Sequence, residues 1–173
     1  VWDGNDEFSG SFDGYGYTID NFAYNDAAIH GVAFIGATIS DAVIQNLNFT
    51  NVSIVAGDNA GGLVGALNSG KIKNCSVEGT ITGVSYLGGL VGTSFKGIIR
   101  NSSFSGDVTA TGDRVGGIIG NANHVTTAES KHLSGTITGD EQVGGIAGYL
   151  GESTVASSYT AGGTVSGRNS VGG

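Results

Sequence analysis

Several features that are common in proteins are scarce or absent in this chain of 173 residues. It contains no proline and no methionine, and its only cysteine, Cys75, cannot form an internal disulfide. None of its apolar runs approaches the roughly 20 residues that a membrane-spanning helix needs. The sequence therefore excludes a disulfide framework, and we expect no insertion into a membrane.

Basic residues are absent from the first 60 positions, although the whole chain has seven of them. The acids of this segment are Asp3, Asp6, Glu7, Asp13, Asp20, Asp26, Asp41 and Asp58. After residue 60 acids and bases balance, so the net charge of −8 lies on the N-terminal third of the chain. Such a surface repels nucleic acid and anionic lipid, and we expect neither as a partner.

Glycine, in contrast, is abundant, with 33 residues, and it recurs at a fixed spacing. Four consecutive units begin with an apolar residue followed by Gly-Gly, over residues 60–86, 87–114, 115–142 and 143–170, and a fifth begins at Val171. This fixed spacing predicts that the repeat glycines lie in tight turns. They are Gly61, Gly62, Gly65, Gly88, Gly89, Gly92, Gly116, Gly117, Gly120, Gly144, Gly145 and Gly148.

Each unit holds three short β-prone runs, which are separated by Gly, Asn, Asp or Ser. A period of about 28 residues with three strands per unit is typical of one turn of a parallel β-helix. The sequence therefore predicts an all-β fold, a parallel β-helix or β-solenoid of about six right-handed coils. We divide it into an acidic, aromatic-rich capping segment with irregular first coils (1–59) and a regular part (60–173), in one continuous solenoid.

One pair of columns does not fit strict alternation between the inside and the outside of a strand. Leu63, Leu90, Ile118 and Ile146 directly precede the apolar residues Val64, Val91, Ile119 and Ala147. Either a bulge turns both columns inward, or one of them forms an exposed apolar stripe. We favour the bulge, because the paired glycines permit it.

The repeated pattern also points to a known family. It is carried by Gly61–Gly65, Ile72, Asn74, Cys75, Gly79, Ile81 and Gly83, with equivalents in the next three units, although 128–131 lacks the Ile and the Asn. The pattern resembles the GLUG repeat of large bacterial surface proteins, which include adhesins and the N-terminal regions of immunoglobulin-A-cleaving metallopeptidases. The resemblance implies an extracellular or cell-surface solenoid. It does not imply catalysis, because the peptidase chemistry of those proteins lies in other domains.

Asparagine recurs at one turn position, as Asn46, Asn74 and Asn101, and Ser157 follows at the corresponding place. We predict a stacked structural ladder that satisfies backbone groups of the turn. The alternative is glycosylation, because Asn-x-Ser/Thr sequences begin at Asn48, Asn51, Asn74 and Asn101.

Candidates for chemistry are few. Asp3, Asn5, Asp6 and Glu7 offer clustered oxygen ligands that suit Ca²⁺, and no other cofactor is expected. Asp113 and Glu141 precede the Gly-Gly of successive coils and could stack, with Arg114 as the nearest cation. We interpret them as turn residues, assign no catalytic residue, and expect no enzyme.

The leading hypothesis is a non-catalytic module of a cell-surface adhesin or stalk, whose partners are other domains of a longer surface protein. One alternative is a subunit of an extracellular filament, assembled from copies of the chain through open solenoid edges. Another is an ice-binding solenoid, with Thr80, Asp107, Thr136 and Thr164 beside Thr82, Thr109, Thr138 and Ser166 as outward columns. Candidate interface residues for a neighbouring copy or a surface glycan are Trp2, Phe8, Phe12 and Val171.

Overall fold

The computed structural model describes residues 7–173, and in this range the chain forms strands and turns without a helix. The first two coils contain β1 (Ser11–Asp13), β2 (Thr18–Asp20), β3 (Ala23–Asn25), β4 (Ile35–Thr38), β5 (Val43–Gln45) and β6 (Asn48–Val55). The third and fourth coils contain β7 (Val64–Leu67), β8 (Gly70–Lys73), β9 (Ser76–Gly83), β10 (Leu87–Gly88), β11 (Val91–Phe95), β12 (Gly97–Arg100) and β13 (Ser103–Ala110).

The last coils contain shorter strands. The fifth contains β14 (Val115–Gly116), β15 (Ile119–Asn123), β16 (Thr126–Ala128), β17 (Lys131–His132) and β18 (Thr136–Thr138). The sixth contains β19 (Glu141–Gly144), β20 (Ala147–Gly151), β21 (Thr154–Ala156), β22 (Tyr159–Thr160) and β23 (Thr164–Ser166), and β24 (Asn169–Gly172) follows it.

Every strand pairs in parallel with the equivalent strand of a neighbouring coil, and the pairs build four sheets. Sheet A joins β4, β7, β11, β15 and β20, and sheet B joins β1, β5, β8, β12, β16 and β21. Sheet C joins β2, β3, β6, β9, β13, β17, β18, β22 and β23, and the short sheet D joins β10, β14, β19 and β24. The register keeps one residue column in line, as in Leu87, Val115, Val143 and Val171. The predicted β-solenoid of about six coils is confirmed.

The coils turn at residues with positive φ, which also stack in columns. One column, between sheets B and C, contains Asn46, Asn74, Asn101, Glu129 and Ser157, with φ between 47° and 55°. Asparagine tolerates this left-handed conformation better than most residues, which explains its recurrence at the turn.

A glycine column bends the long strands of sheet C. Gly79, Gly106, Gly135 and Gly163 have φ between 102° and 152°. A Cβ atom on Gly106 would overlap the carbonyl oxygen of Gly79 in the coil before it. Both the conformation and the close approach therefore require glycine at this column.

The repeat glycines lie at places where the backbone packs closely. They are not among the residues with positive φ, so no left-handed conformation requires glycine at these positions. A Cβ on Gly61 would lie 2.6 Å from the carbonyl oxygen of Val64, and one on Gly62 would lie 2.6 Å from a methyl group of Val77. Gly-Gly thus lets the backbone pack closely against its own coil and the core where the chain bends toward sheet A.

Both doubtful apolar columns lie inside the solenoid. Leu63, Leu90 and Ile118 are fully buried, and so are Val64 and Val91. The N–H groups of Leu63 and Val64 donate to the same carbonyl, that of Leu90, at 3.0 Å each. This local irregularity turns two consecutive side chains inward, and the bulge interpretation is confirmed.

Aromatic rings fill the core at the first two coils. Phe34 makes edge-to-face contacts with Phe12, Phe22 and Phe49, at centroid distances of 5.5, 6.0 and 5.1 Å. Phe49 is fully buried, whereas the other three rings are half-buried at this end. The rings therefore pack as one cluster in the first two coils, beside a cavity of about 230 Å³ that Phe22 and Phe34 help to line.

Candidate functional site

The asparagine column forms a directional hydrogen-bonded ladder. The Nδ2 of Asn101 donates to Oδ1 of Asn74 at 2.8 Å, and the Nδ2 of Asn74 donates to Oδ1 of Asn46 at 3.0 Å. Asn46 in turn donates to Oδ1 of Asp13 at 3.0 Å, so the ladder ends on a carboxylate in the first coil. Ser157 lies at the equivalent corner of the sixth coil and shares its backbone conformation.

Asp13 is well suited to end this ladder, because an ionised carboxylate only accepts hydrogen bonds. It also accepts the N–H of Tyr15 at 2.9 Å and the side-chain amide of Gln45 at 2.7 Å. The hydrogen bond from Asn46, followed by those from Tyr15 and Gln45, lowers the pKa of Asp13 below its ordinary value. No sequence argument had singled out Asp13 for this role.

Asp113 and Glu141 do stack, as their spacing predicted, but their contacts serve the backbone. Oδ1 of Asp113 accepts the backbone N–H of Glu141 at 3.3 Å, and the Asp113 N–H donates to Ser85 Oγ at 3.1 Å. The cation beside the pair is Arg168 rather than the expected Arg114. Its Nε lies 2.8 Å from Asp140, and its Nη2 lies 3.5 Å from Glu141. The acids are therefore engaged in turn and ion-pair contacts.

The proposed calcium ligands lie mostly outside the described part of the chain. Asp3, Asn5 and Asp6 fall there, as does the candidate interface residue Trp2. Glu7 accepts a hydrogen bond from the side-chain amide of Asn68 at 2.9 Å. Among residues 7–173, no three His, Cys, Asp or Glu side chains are grouped to hold a metal ion.

The threonine columns face outward on sheet C in strict register. Thr82 pairs with Thr109, Thr109 with Thr138, and Thr138 with Ser166. The neighbouring column is interrupted at Asp107, whose Oδ1 accepts the backbone N–H of Thr136 at 2.7 Å. The Asp107 side chain therefore stabilises the start of β18 in the next coil.

A second polar column, which the sequence analysis did not predict, lies just inside the asparagine ladder. Ser102 and Ser130 are buried; each hydroxyl donates to the carbonyl two residues earlier and accepts a backbone N–H from the preceding coil. Cys75 occupies this column in the third coil, and its thiol contacts the carbonyl of Lys73 at 3.2 Å. Burial raises the pKa of Cys75 to about 11, so the thiol stays protonated and inert at neutral pH.

One buried histidine interrupts the apolar core. His132 pairs in register with Phe104 and is fully buried, and its ring stacks on the Phe104 ring at 5.9 Å. Neither ring nitrogen has a hydrogen-bond partner within residues 7–173, and the same holds for the buried hydroxyl of Thr160 in the next coil. The repeat spacing could have predicted that His132 points into the core, because it aligns His132 with the apolar residues Val77 and Phe104 of the two preceding coils.

The candidate interface residues that the structure describes lie at opposite ends of the solenoid. Phe8 and Phe12 are half-buried beside the aromatic core of the first coils. Val171 is 45% exposed at the outer edge of the sixth coil. That edge borders an open cavity of about 430 Å³, whose apolar lining includes Val143, Ile146, Leu150, Val155 and Val171.

Comparison with known proteins identifies the repeat. The model of the GLUG motif matches residues 56–82 and 83–109. A halomucin of Haloquadratum walsbyi is 39% identical to this chain over 77 residues. The aligned segment covers 44% of this chain but only 1% of the halomucin, and no solved structure matches the chain. No helix within residues 7–173 has the length and apolar character needed to cross a membrane.

Proposed function

Because this chain carries GLUG repeats, we propose that it is a non-catalytic structural module of a cell-surface adhesin or stalk, in which it acts as a stiff spacer. The observation that carries the proposal is the unbroken parallel pairing from the first coil to the sixth. One relative is a halomucin, of which the aligned segment covers only 1%, and a module within a long surface protein is consistent with this.

The arrangement of side chains supports a mechanical role. Inward residues form a mainly apolar core, and polar columns at the corners join one coil to the next by hydrogen bonds. Such a solenoid resists bending, because bending would separate the strands of every sheet on one side. The carboxylates that could have served catalysis are held by backbone N–H groups and by Arg168.

The stiffness can be measured with spin labels along one outward column. Asn25 and Ser166 lie in this column five coil steps apart, and both are exposed. In a Cys75→Ser background, cysteines at these two positions should give one narrow distance distribution centred near about 24 Å, before label linkers are considered. The matched pair Asn25 and Thr138 should give about 19 Å. A broad distribution for either pair would refute a stiff spacer.

The surface location needs a separate test on the whole protein. On intact cells, an external protease should remove an epitope inserted at the exposed Thr82, while a cytoplasmic marker stays intact. Survival of the epitope until the cells are lysed would contradict the proposal.

End-to-end assembly is the second candidate function, and the exposed edge of the sixth coil favours it. The apolar cavity there would be covered by one more coil, either from later residues of a longer protein or from another copy. Sedimentation velocity of the 173-residue chain should then show concentration-dependent association. Val171→Lys should reduce it, whereas Thr82→Lys on the side of the solenoid should not. A monomer at every concentration would refute assembly through this edge.

A further inference from the structure

One side of the solenoid gathers an arginine, two tyrosines and several amide and hydroxyl groups from neighbouring coils. The guanidinium of Arg114 lies over the ring of Tyr149, at 4.7 Å from its centroid, and over the ring of Tyr86, at 5.4 Å. Tyr86 and Arg114 stand at the corner before sheet D, and Tyr149 stands on sheet A. We call Tyr86, Thr93, Arg114, Asn121, Gln142 and Tyr149 the Arg114 surface.

Neutral side chains hold the guanidinium in place. Its Nε donates to Oε1 of Gln142 at 3.0 Å, and its Nη1 donates to Oδ1 of Asn121 at 3.4 Å. Asn121 is itself fixed, because its Nδ2 donates to Oγ1 of Thr93 at 3.0 Å. The half-buried arginine is thus oriented before any ligand arrives, which reduces the entropy lost on binding.

The charge of Arg114 has no anionic partner within the described residues. No carboxylate oxygen of residues 7–173 lies within 4.0 Å of its nitrogens, whereas Arg168 lies within that distance of both Asp140 and Glu141. A guanidinium has five N–H donors, and the two bonds described above leave others for a ligand. Such a planar fork matches a carboxylate well.

The neighbouring surface favours a sugar polymer as the source of that carboxylate. Tyr149 is 36% exposed, and Phe95 and Asn123 extend the same outward face of sheet A. Phe95 is 45% exposed, with the Lys96 ammonium 5.2 Å from its ring centroid. Rings and amides of neighbouring coils therefore lie side by side on this face, and the carboxylate next to it, that of Glu152, is paired with His124 at 2.9 Å. An extended ligand with repeated rings and carboxylates fits this face.

We propose that the Arg114 surface binds an acidic glycan, with the Arg114 guanidinium paired to a uronate carboxylate and the Tyr149 ring in contact with the sugar. This proposal rests on the proposed function, since it makes a surface module adhesive. The occupant is an extended polyuronate rather than a neutral glycan, because the group that is fixed and unpaired is the guanidinium.

The test is titration calorimetry with oligogalacturonate at moderate ionic strength. Arg114→Met keeps the aliphatic contact and removes the charge, so it should weaken binding at least about tenfold, as expected for one lost charged hydrogen-bond pair. Arg100→Met, at an exposed arginine on sheet B, removes the same charge elsewhere and should change the affinity less than about twofold. Tyr149→Ala should weaken binding several-fold.

Three outcomes would overturn the proposal: no binding by the wild-type chain, equal losses in the two arginine variants, or equal affinity for a neutral glucan oligomer. Each variant is also checked by thermal unfolding, and loss of binding counts only at an unchanged melting temperature. The spin-label distances are independent of this result. A chain that keeps them but binds no polyuronate would remain a spacer without a glycan site.

Discussion

The fourth and sixth coils contain closely related sequences, yet their apolar side chains differ sharply in burial. In the column through sheet B, Ile99 of the fourth coil is fully buried, whereas Val155 of the sixth is 36% exposed. In the column through sheet D, Val115 of the fifth coil is fully buried, whereas Val171, which follows the sixth coil, is 45% exposed. The difference shows that the burial of a side chain in this fold depends on the neighbouring coils and not on the sequence of its own coil.

The two ends of the solenoid also differ from each other. The first coils are filled by the Phe12, Phe22, Phe34 and Phe49 rings, and their polar column ends on the Asp13 carboxylate. The sixth coil keeps the ordinary repeat residues and leaves an open apolar cavity. One end is therefore packed with aromatic rings around a smaller cavity of about 230 Å³, whereas the other presents a face that fits a further coil.

The largest effect is expected from alanine at the glycine column of sheet C. In Gly106→Ala the new Cβ would overlap the Gly79 carbonyl oxygen, at a φ of 139° that alanine disfavours. Because the fourth coil is held on both sides, we expect the free energy of unfolding to fall by about 3 kcal/mol or more.

The matched change at the sixth coil is Gly163→Ala, which meets the Gly135 carbonyl in the same way. Since this coil has a neighbour on only one side within the described residues, it can shift outward, and the loss should be about half as large. Urea denaturation compares the two variants. An equal decrease in the free energy of unfolding in both variants would mean that the number of neighbouring coils does not determine how much the added methyl group destabilises the fold.

A smaller effect is expected from the valine column of sheet D. Val115→Ala removes two buried methyl groups between coils and should cost about 2 kcal/mol, while Val171→Ala should cost about 0.5 kcal/mol or less. Both residues are valines in one register, so only burial distinguishes them. Chemical denaturation with an unchanged m-value provides the measurement. A large loss at Val171 would show that the open edge is covered in solution.

Much of the fold followed from the sequence, because a 28-residue period fixes which residues stack. The positions of Asn46, Asn74 and Asn101 in one column follow from that period and from the preference of asparagine for positive φ. The bulge that turns both Leu63 and Val64 inward was also predicted correctly, because the paired glycines before Leu63 permit it. The close packing around the repeat glycines could not be predicted, because a turn and a close backbone approach both select glycine and the sequence does not distinguish them.

The Arg114 surface could not be predicted from the period alone. Its residues come from two columns, one before sheet D and one on sheet A, and those columns meet only because the chain bends sharply between Gly61 and Val64 or their equivalents. The pairing of Arg168 with Asp140 likewise depends on side-chain direction at a corner. A repeat sequence predicts which side chains stack within one column. Contacts between two columns can be predicted only when the path of the backbone around the coil is known.

An intermediate effect, of opposite sign, is expected in the fifth coil, where His132 replaces the phenylalanine of the fourth. His132→Phe removes two buried nitrogens without partners and extends the stack on Phe104, so we expect a gain of about 1 kcal/mol in the free energy of unfolding. Thr160→Val, which removes another unpaired hydroxyl, should stabilise the chain by a similar or smaller amount. A loss of stability in both variants would show that these groups have partners in solution.

The smallest effect concerns the acid that ends the asparagine ladder. Hydrogen bonds from Asn46, Tyr15 and Gln45 lower the folded-state pKa of Asp13, so its contribution to stability is present above the pKa of the unfolded chain, near 3.8, and is lost as pH falls through the folded value. Asp13→Asn should therefore lower the melting temperature slightly at neutral pH, and the difference from wild type should vanish in strong acid. In an Asn46→Ala background the same substitution should lose most of this pH dependence, because the donor with the largest effect is gone. A melting-temperature difference that stays constant from neutral to strongly acidic pH would mean that the charge of the Asp13 carboxylate does not stabilise the first coil. The first coil would then not differ from the middle coils in this respect.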